Sequence, residues 1–191
     1  MHSQRTIHDL DPTLRIAVIG SGTNSSAMCD ALYYADRSIA ADVYSEYEDD
    51  WRTTSPHHAD GYRIIHGLDT LLDVHRDDLR ARYGAVVYAL DTWSIRQPPP
   101  MMFGLPRAQG YIHNENGIVT GSACEFVVGP CAGPTTRKIT ALCGAVASLI
   151  AADRTSPTAA WSSHDPAEWL HVRFPDADVR HCYPPSHTSV A

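Results

Sequence analysis

The chain has 191 residues, 15 Lys+Arg against 22 Asp+Glu for a formal net charge of −7, and a hydrophobic content of 43%. That length suits one domain, or one with a short appendage, and that apolar content supports a core and excludes a disordered chain. The acid excess argues against nucleic acid as a partner, and without a run of 18 apolar residues no membrane span is expected.

The opening residues, Met1 to Thr6, carry no apolar run and are not expected to act as a secretion signal. Cys29, Cys124, Cys131, Cys143 and Cys182 are odd in number and show no CxxC spacing. They read as reduced thiols of a cytoplasmic protein and not as a disulfide frame or a zinc site.

The first strong pattern is Arg15 to Gly20, four apolar residues running into a glycine, as in a strand buried on both faces. Gly20, Ser21, Gly22, Thr23, Asn24 and Ser25 follow, and a helix is predicted from Ser25 to about Ala35, with Met28, Ala31, Leu32 and Ala35 at helical spacing. Ala41 to Glu46 reads as a second strand. Strand, glycine turn, helix and strand within about thirty residues is the βαβ unit of dinucleotide-binding folds. There the first glycine permits the tight bend, the second lets backbone approach a pyrophosphate, and the helix N-terminus supplies free N–H groups and a positive dipole end. The third position here is Ser25, a larger residue than the usual Gly or Ala. Two readings of this turn stand: a nucleotide site, or a turn kept for its geometry alone.

An acid about twenty residues beyond the turn would bind a ribose hydroxyl. Ser45 sits at the expected strand end and Glu46 one residue later, where the side chain changes face. Glu46 is therefore a ribose ligand if the strand ends early, and otherwise a solvated acid beside Glu48, Asp49 and Asp50.

Residues 51 to 61 read as a polar loop holding Pro56, His57 and His58. Tyr62 to His66 reads as a strand, Asp77 to Tyr83 as one short helical turn, and Gly84 to Leu90 as another buried strand. Gln97 to Met102, with its three prolines, is a stiff connector. Gly110 to Gly121 predicts a hairpin with its tip at Asn114 to Gly117, and Glu125 to Gly129 a third buried strand. Pro134, after Gly133, opens the longest helix, Thr135 to about Ala152. Its expected apolar face is Ile139, Leu142, Val146, Leu149 and Ile150, with Gly144, Ala145 and Ala147 permitting close packing on a sheet. The Met and Cys residues read as core. Beyond Pro157 the chain is polar, with Trp161 and Trp169 as anchors, and the tail from Pro175 is expected to be poorly ordered. His181, Cys182 and His187 fit no common metal spacing, so no metal site is expected.

Several of these segments together resemble the FAD-binding part of the adrenodoxin-reductase-like ferredoxin–NADP reductases. Arg15 to Gly22 is similar to that family's FAD-binding start and Leu79 to Ala89 to its fourth-strand segment. Gly104 to Arg107, Gly117 to Gly129 and Gly133-Pro134-Thr135 are similar to its closing segment. The similarity covers residues 14–153 in pieces, with Gly133-Pro134-Thr135 its most specific part. The departures are equally specific. The family inserts a whole NADPH-binding domain where this chain has only Asp91 to Phe103, too short for a second nucleotide fold. Trp51 to Thr54 is too short for the family's flavin-packing loop. Asp91 and Thr136 stand where the family has glycines close to the cofactor.

The resemblance implies an α/β, Rossmann-like FAD/NAD(P)-binding three-layer fold with a parallel sheet, truncated. A single FAD-type domain would span residues 1–160, the NADPH domain being reduced to a connector near 92–103, and a partly disordered C-terminal extension would span 161–191. It implies FAD as cofactor and a flavin-dependent oxidoreductase acting on a small molecule with electrons from elsewhere. The alternative is a non-redox cyclase or isomerase, or a regulatory subunit, that reuses the scaffold without flavin. The pyrophosphate would meet Gly20, Ser21, Gly22, Thr23 and Asn24, and the ribityl chain and ring would meet Gly129, Gly133, Pro134 and Thr135. Ser55-Pro56-His57-His58 resembles the family segment that brings a histidine beside the flavin, which makes His58 the candidate acid or base; the plain alternative is a surface histidine pair. Removal of the second domain would bare apolar surface around Met101, Met102 and Phe103, for a homodimer or a partner protein.

Overall fold

Ile16, Ala17, Val18 and Ile19 have no exposed surface at all, as a strand at the middle of a parallel sheet requires. In the computed structural model the described residues are 15–20, 22–45, 62–66, 74–90, 104–133, 139–153, 166–175 and 178–181. The strands are β1 (Arg15–Ile19), β2 (Ala40–Tyr44), β3 (Tyr62–His66), β4 (Ala85–Tyr88), β5 (Arg107–Ala108), β6 (Tyr111–Ile112), β7 (Asn114–Glu115), β8 (Ile118–Val119), β9 (Glu125–Val127) and β10 (Asp178–His181). The α-helices are α1 (Thr23–Ala35), α2 (Arg76–Arg82), α3 (Ile139–Asp153) and α4 (Pro166–Arg173), and Pro130–Ala132 forms one 3-10 turn.

The main sheet has the order β10-β3-β2-β1-β4-β9-β8-β7. Strands β3, β2, β1, β4 and β9 run parallel, while β10, β8 and β7 add antiparallel edges. Register sets Ile16 between Ala41 and Ala85, and Ile19 between Tyr44 and Tyr88. The chain leaves β1 toward β2 and β3, then returns to β4 on the other side of β1. Such a reversal, here at the carboxyl ends of β1 and β4, is where open α/β sheets hold their binding crevice.

Apolar side chains fill both faces of the sheet. On one, Ile16, Val18, Ala41 and Val43 pack with Met28 and Leu32 of α1 and Leu142, Val146 and Ile150 of α3. On the other, Ala17, Ile19, Tyr44, Val86 and Tyr88 pack with Leu79 of α2 and Leu170 of α4. The architecture is a mixed α/β one, a mostly parallel sheet flanked by helices on both faces.

Four local outcomes differ from expectation. α3 buries Leu142, Cys143, Val146, Ala147 and Ile150, whereas Ile139 and Leu149 are 40% and 41% exposed. It packs along α1 as well as over the sheet, and Ile139 and Leu149 lie on the side turned away from that seam. The expected single turn at 77–83 is a two-turn helix from Arg76. Asp77 and Asp78 lie in its first turn and Arg80 and Arg82 in its last, each sign at the dipole end that favours it. A second hairpin precedes the predicted one: β5 and β6 turn through Gln109 (φ 53) and Gly110 (φ 86), as β7 and β8 turn through Asn116 (φ 53) and Gly117 (φ 89). Finally, 178–181, expected to lack regular structure, pairs antiparallel with β3 and covers what would otherwise be an open edge. Pro134, Thr135, the connector near 92–103 and residues 182–191 lie outside the described residues.

Candidate functional site

The crevice floor is a staggered ladder. Gly20 N–H donates to Tyr44 O at 3.0 Å, Ala89 N–H to Ile19 O at 2.8 Å and Val128 N–H to Tyr88 O at 2.9 Å. The carboxyl ends of β2, β1, β4 and β9 are thereby held together around the start of α1.

Gly20 has φ 136 and Gly22 φ 82, both in the half of backbone space that glycine alone enters without strain. A Cβ on Gly20 would lie 2.3 Å from Ala89 O. The first glycine of the turn thus makes room for the end of β4. Ser25, where the fingerprint has Gly or Ala, is fully buried, and its Oγ donates to the same Ala89 O at 3.2 Å. The hydroxyl ties α1 across to β4.

Gly22 caps α1 with no side-chain hydrogen bond, and the first turn holds no acid. The first hydrogen bond into the helix runs from Ser26 N–H to Gly22 O at 3.1 Å. The N–H groups before Ser26 have no acceptor within a helix at that point, and the positive dipole end is not offset by a carboxylate. Such a terminus suits an anion.

The closing loop stands opposite. Gly129 has φ 78, and a Cβ there would lie 2.6 Å from Asn24 Nδ2. Gly133 has φ 95 and sits over the Tyr111 ring. Between them Cys131 is fully buried, with its thiol 3.3 Å from Val128 O and 3.6 Å from Tyr88 O. Asn114 pins the loop from the hairpin side: Nδ2 donates to Ala132 O at 3.0 Å and to Ile112 O at 2.7 Å, while Oδ1 accepts from Gly117 N–H at 3.2 Å. The structure therefore brings Gly20, Gly22, Thr23 and Asn24 together with Gly129, and leaves Gly133 farther along the same loop. Ser21, Glu46, His58, Pro134 and Thr135 lie outside the described residues. β2 ends at Tyr44, and Ser45, still buried, continues the ladder by donating its N–H to Ile65 O at 3.0 Å.

Two buried acids were not singled out by the sequence reading. Asp42, in the middle of β2, takes Arg63 through both oxygens (Nε–Oδ1 2.6 Å, Nη2–Oδ2 2.7 Å), Arg15 Nη1 at 2.7 Å and Tyr83 OH at 2.8 Å. Tyr83 OH in turn lies 2.8 Å from Tyr44 OH. Burial pushes the Asp42 carboxyl up, but the two arginines and the Tyr83 hydroxyl outweigh it and hold the group below the ordinary carboxylate range. Tyr83 and Tyr44 are pushed far up, first by burial and then by the Asp42 charge. Glu125, at the start of β9, pairs side-on with Arg76 (Nε–Oε1 and Nη2–Oε2, both 2.6 Å) and accepts from Tyr88 OH at 2.9 Å. Its carboxyl is also held low, because hydrogen bonds from Arg76, Ser122 and Tyr88 outweigh burial. Both acids fasten the α2 side of the sheet, and Glu125 lies at the strand end opposite Gly129. Their work is structural.

Among the described residues no group of three or more His, Cys, Asp or Glu is placed to hold a metal ion, and no helix is long and apolar enough to cross a membrane. Compared with family models and with curated proteins, the chain matches none.

Proposed function

We propose that the chain is a compact dinucleotide-binding protein that holds FAD, with the pyrophosphate on the Gly20–Asn24 turn, and that it serves as an oxidoreductase toward a small molecule without an NADPH domain of its own. The observation that carries the reading is the crevice between β1 and β4. An uncapped, acid-free helix N-terminus opens there behind two glycines of positive φ, in a sheet whose strand order reverses at that point. The residues suit a diphosphate: Gly22 has no side chain, and the start of α1, with no acid in its first turn, offers a positive dipole end. The resemblance to the ferredoxin–NADP reductases selects FAD among dinucleotides.

When bound, the flavin would supply the electron transfer itself. This chain's part would be to hold the diphosphate at Gly22, Thr23 and Asn24, and to close one side with the Gly129–Gly133 loop that Asn114 braces. His58 is proposed as the acid or base. His58→Ala is expected to lower turnover by about 10²–10⁴-fold.

One observation favours the second reading, a scaffold that takes a nucleotide or other small molecule with no flavin chemistry. The bare side of Gly20 is filled by Ala89 O and that of Gly129 by Asn24, so neither glycine turns open backbone toward a ring. Titration with FAD, ADP and NADPH separates the two. Binding of FAD with a shifted flavin spectrum supports the first reading and binding of ADP alone the second. Tight NADPH binding with no FAD binding would refute the proposal.

A further inference from the structure

Asparagine is scarce in this chain: Asn24, Asn114 and Asn116 are all it has. The fold treats the three differently. Asn24 is buried in the first turn of α1 and is followed by Ser25. Asn114 commits both ends of its amide to hydrogen bonds and is followed by Glu115. Asn116 is exposed at the tip of the β7–β8 hairpin, and the residue after it is glycine.

Asparagine before glycine is the pair in which a side-chain amide is most open to attack by the backbone, because no Cβ shields the nitrogen of the second residue. The hairpin requires this pair. Two residues join β7 to β8, both at positive φ (Asn116 53, Gly117 89), the primed turn that Asn-Gly suits best. Packing fixes Gly117 a second time: a Cβ there would lie 2.8 Å from Val146 Cγ2 and 3.2 Å from Leu142 Cδ1. The turn and the seat against α3 thus place a reactive pair at the tip and keep it there.

We propose that Asn116 is a self-modification site: its side chain closes onto the Gly117 nitrogen, and the aspartate or isoaspartate that results loosens the brace on the Gly129–Gly133 loop. In the first step the Gly117 nitrogen bonds to Asn116 Cγ, the Cγ–Nδ2 bond breaks, and Nδ2 leaves as ammonia with the Gly117 amide proton. Water then opens the five-membered imide at either carbonyl. One opening leaves aspartate on an unchanged backbone; the other carries Cβ into the main chain as isoaspartate. Water is the sole co-reactant.

The hairpin ties this chemistry to the loop. Gly117 N–H donates to Asn114 Oδ1 at 3.2 Å, and Gly117 O accepts from Val127 N–H at 2.8 Å. The same Asn114 amide holds Ala132 O through Nδ2 at 3.0 Å. In the native hairpin the bond to Asn114 restrains the attacking nitrogen and slows ring closure. Once isoaspartate lengthens the main chain, Gly117 leaves its seat against Val146, Asn114 loses the N–H that orients it, and Ala132 O loses its donor. The inference does not depend on what the crevice binds.

Incubation of the full chain at pH 8 over several weeks, with peptide mapping by mass, tests it. The peptide holding Asn116 is expected to gain the mass of an NH2-to-OH exchange and to split into aspartate and isoaspartate forms, while those holding Asn24 and Asn114 show no such gain at these residues. Asp60-Gly61 can rearrange only without a change of mass and does not enter the count. Asn116→Gln should abolish the gain and keep the fold, since its ring would need six members and Gln109 already holds φ 53 before Gly110 in the neighbouring turn. Asn114→Ala should speed conversion about 2–10-fold, the factor one hydrogen bond is worth. Amide exchange across 129–133 should be faster in the aged native chain than in Asn116→Gln aged alongside it. A native chain that keeps Asn116 intact overturns the proposal. So does a converted chain whose loop exchanges no faster than that of Asn116→Gln, or an Asn114→Ala rate equal to the native one.

Discussion

Gly20→Ala tests why the turn begins with glycine. The new Cβ would lie 2.3 Å from Ala89 O and 2.8 Å from Ala89 C, with Ser25 Oγ at 3.1 Å. Carbon and oxygen must part to at least 3.0 Å, so the Ala89 carbonyl has to retreat by 3.0 − 2.3 = 0.7 Å. It is not free to do so. Ala89 N–H is bonded to Ile19 O at 2.8 Å and its oxygen accepts from Ser25, and both bonds stretch with the retreat. Overpacking of this kind costs about 1–3 kcal/mol, and holding a non-glycine residue at φ 136 costs about 1–3 kcal/mol more. The expected loss is about 2–6 kcal/mol of unfolding free energy, or roughly 4–24 °C in Tm for a chain of this size. Urea unfolding with no nucleotide present measures it, with Gly121→Ala as control. Gly121 also has a positive φ, 81, but nothing lies within 4 Å of its added Cβ, so it reports the backbone penalty alone. A loss at Gly20 under about 0.5 kcal/mol, or no larger than at Gly121, would refute the argument that close approach to β4 fixes this residue.

Asp42→Asn leaves Arg63 and Arg15 beside an uncharged group in a buried site and is expected to cost about 3–5 kcal/mol by denaturant unfolding, with Asp42→Leu/Arg63→Met milder than either single change. Asp42 and Glu125 bind their protons less readily folded than unfolded, so stability should be at its full value above their ordinary values of 3.8 and 4.5 and should fall as the pH drops below them. An acid-unfolding series in which Asp42→Asn keeps the native slope would contradict this. In a Cys182→Ser background a thiol reagent at pH 8 should modify the half-buried Cys124 first and leave Cys29, Cys131 and Cys143 protected until unfolding. The first two are shielded by burial, and burial also pushes the Cys143 thiol up to about 11. Asn114→Ala should cost about 1–2 kcal/mol and speed amide exchange across Gly129–Gly133, because Ala132 O and Ile112 O lose their donor; unchanged exchange there would show that the loop holds itself.

Where a short stretch of chain carries the whole physical reason for an element, the sequence was enough. Four apolar residues ending at Gly20 predict a buried strand because only a strand that short can hide both faces. The glycine pair followed by helical spacing through Leu32 predicts the β1–α1 turn, and the apolar run before Gly129 predicts β9. The turn at Gly20 and Gly22 was legible for the same reason, since its geometry is local. What only the tertiary structure decided involves partners far apart in the chain. Asp42 sits between Ala41 and Val43 like any polar residue of a half-exposed strand. Its burial depends on Arg63 and Tyr83, 21 and 41 residues away. Glu125 depends likewise on Arg76, 49 residues back. The reason for glycine at position 20 is a carbonyl on β4, the pairing of β10 answers an open edge on β3, and the exposure of Leu149 follows from α3 leaning on α1. Burial is a sum over neighbours in space, and periodicity along the chain records only the neighbours a residue has within its own element.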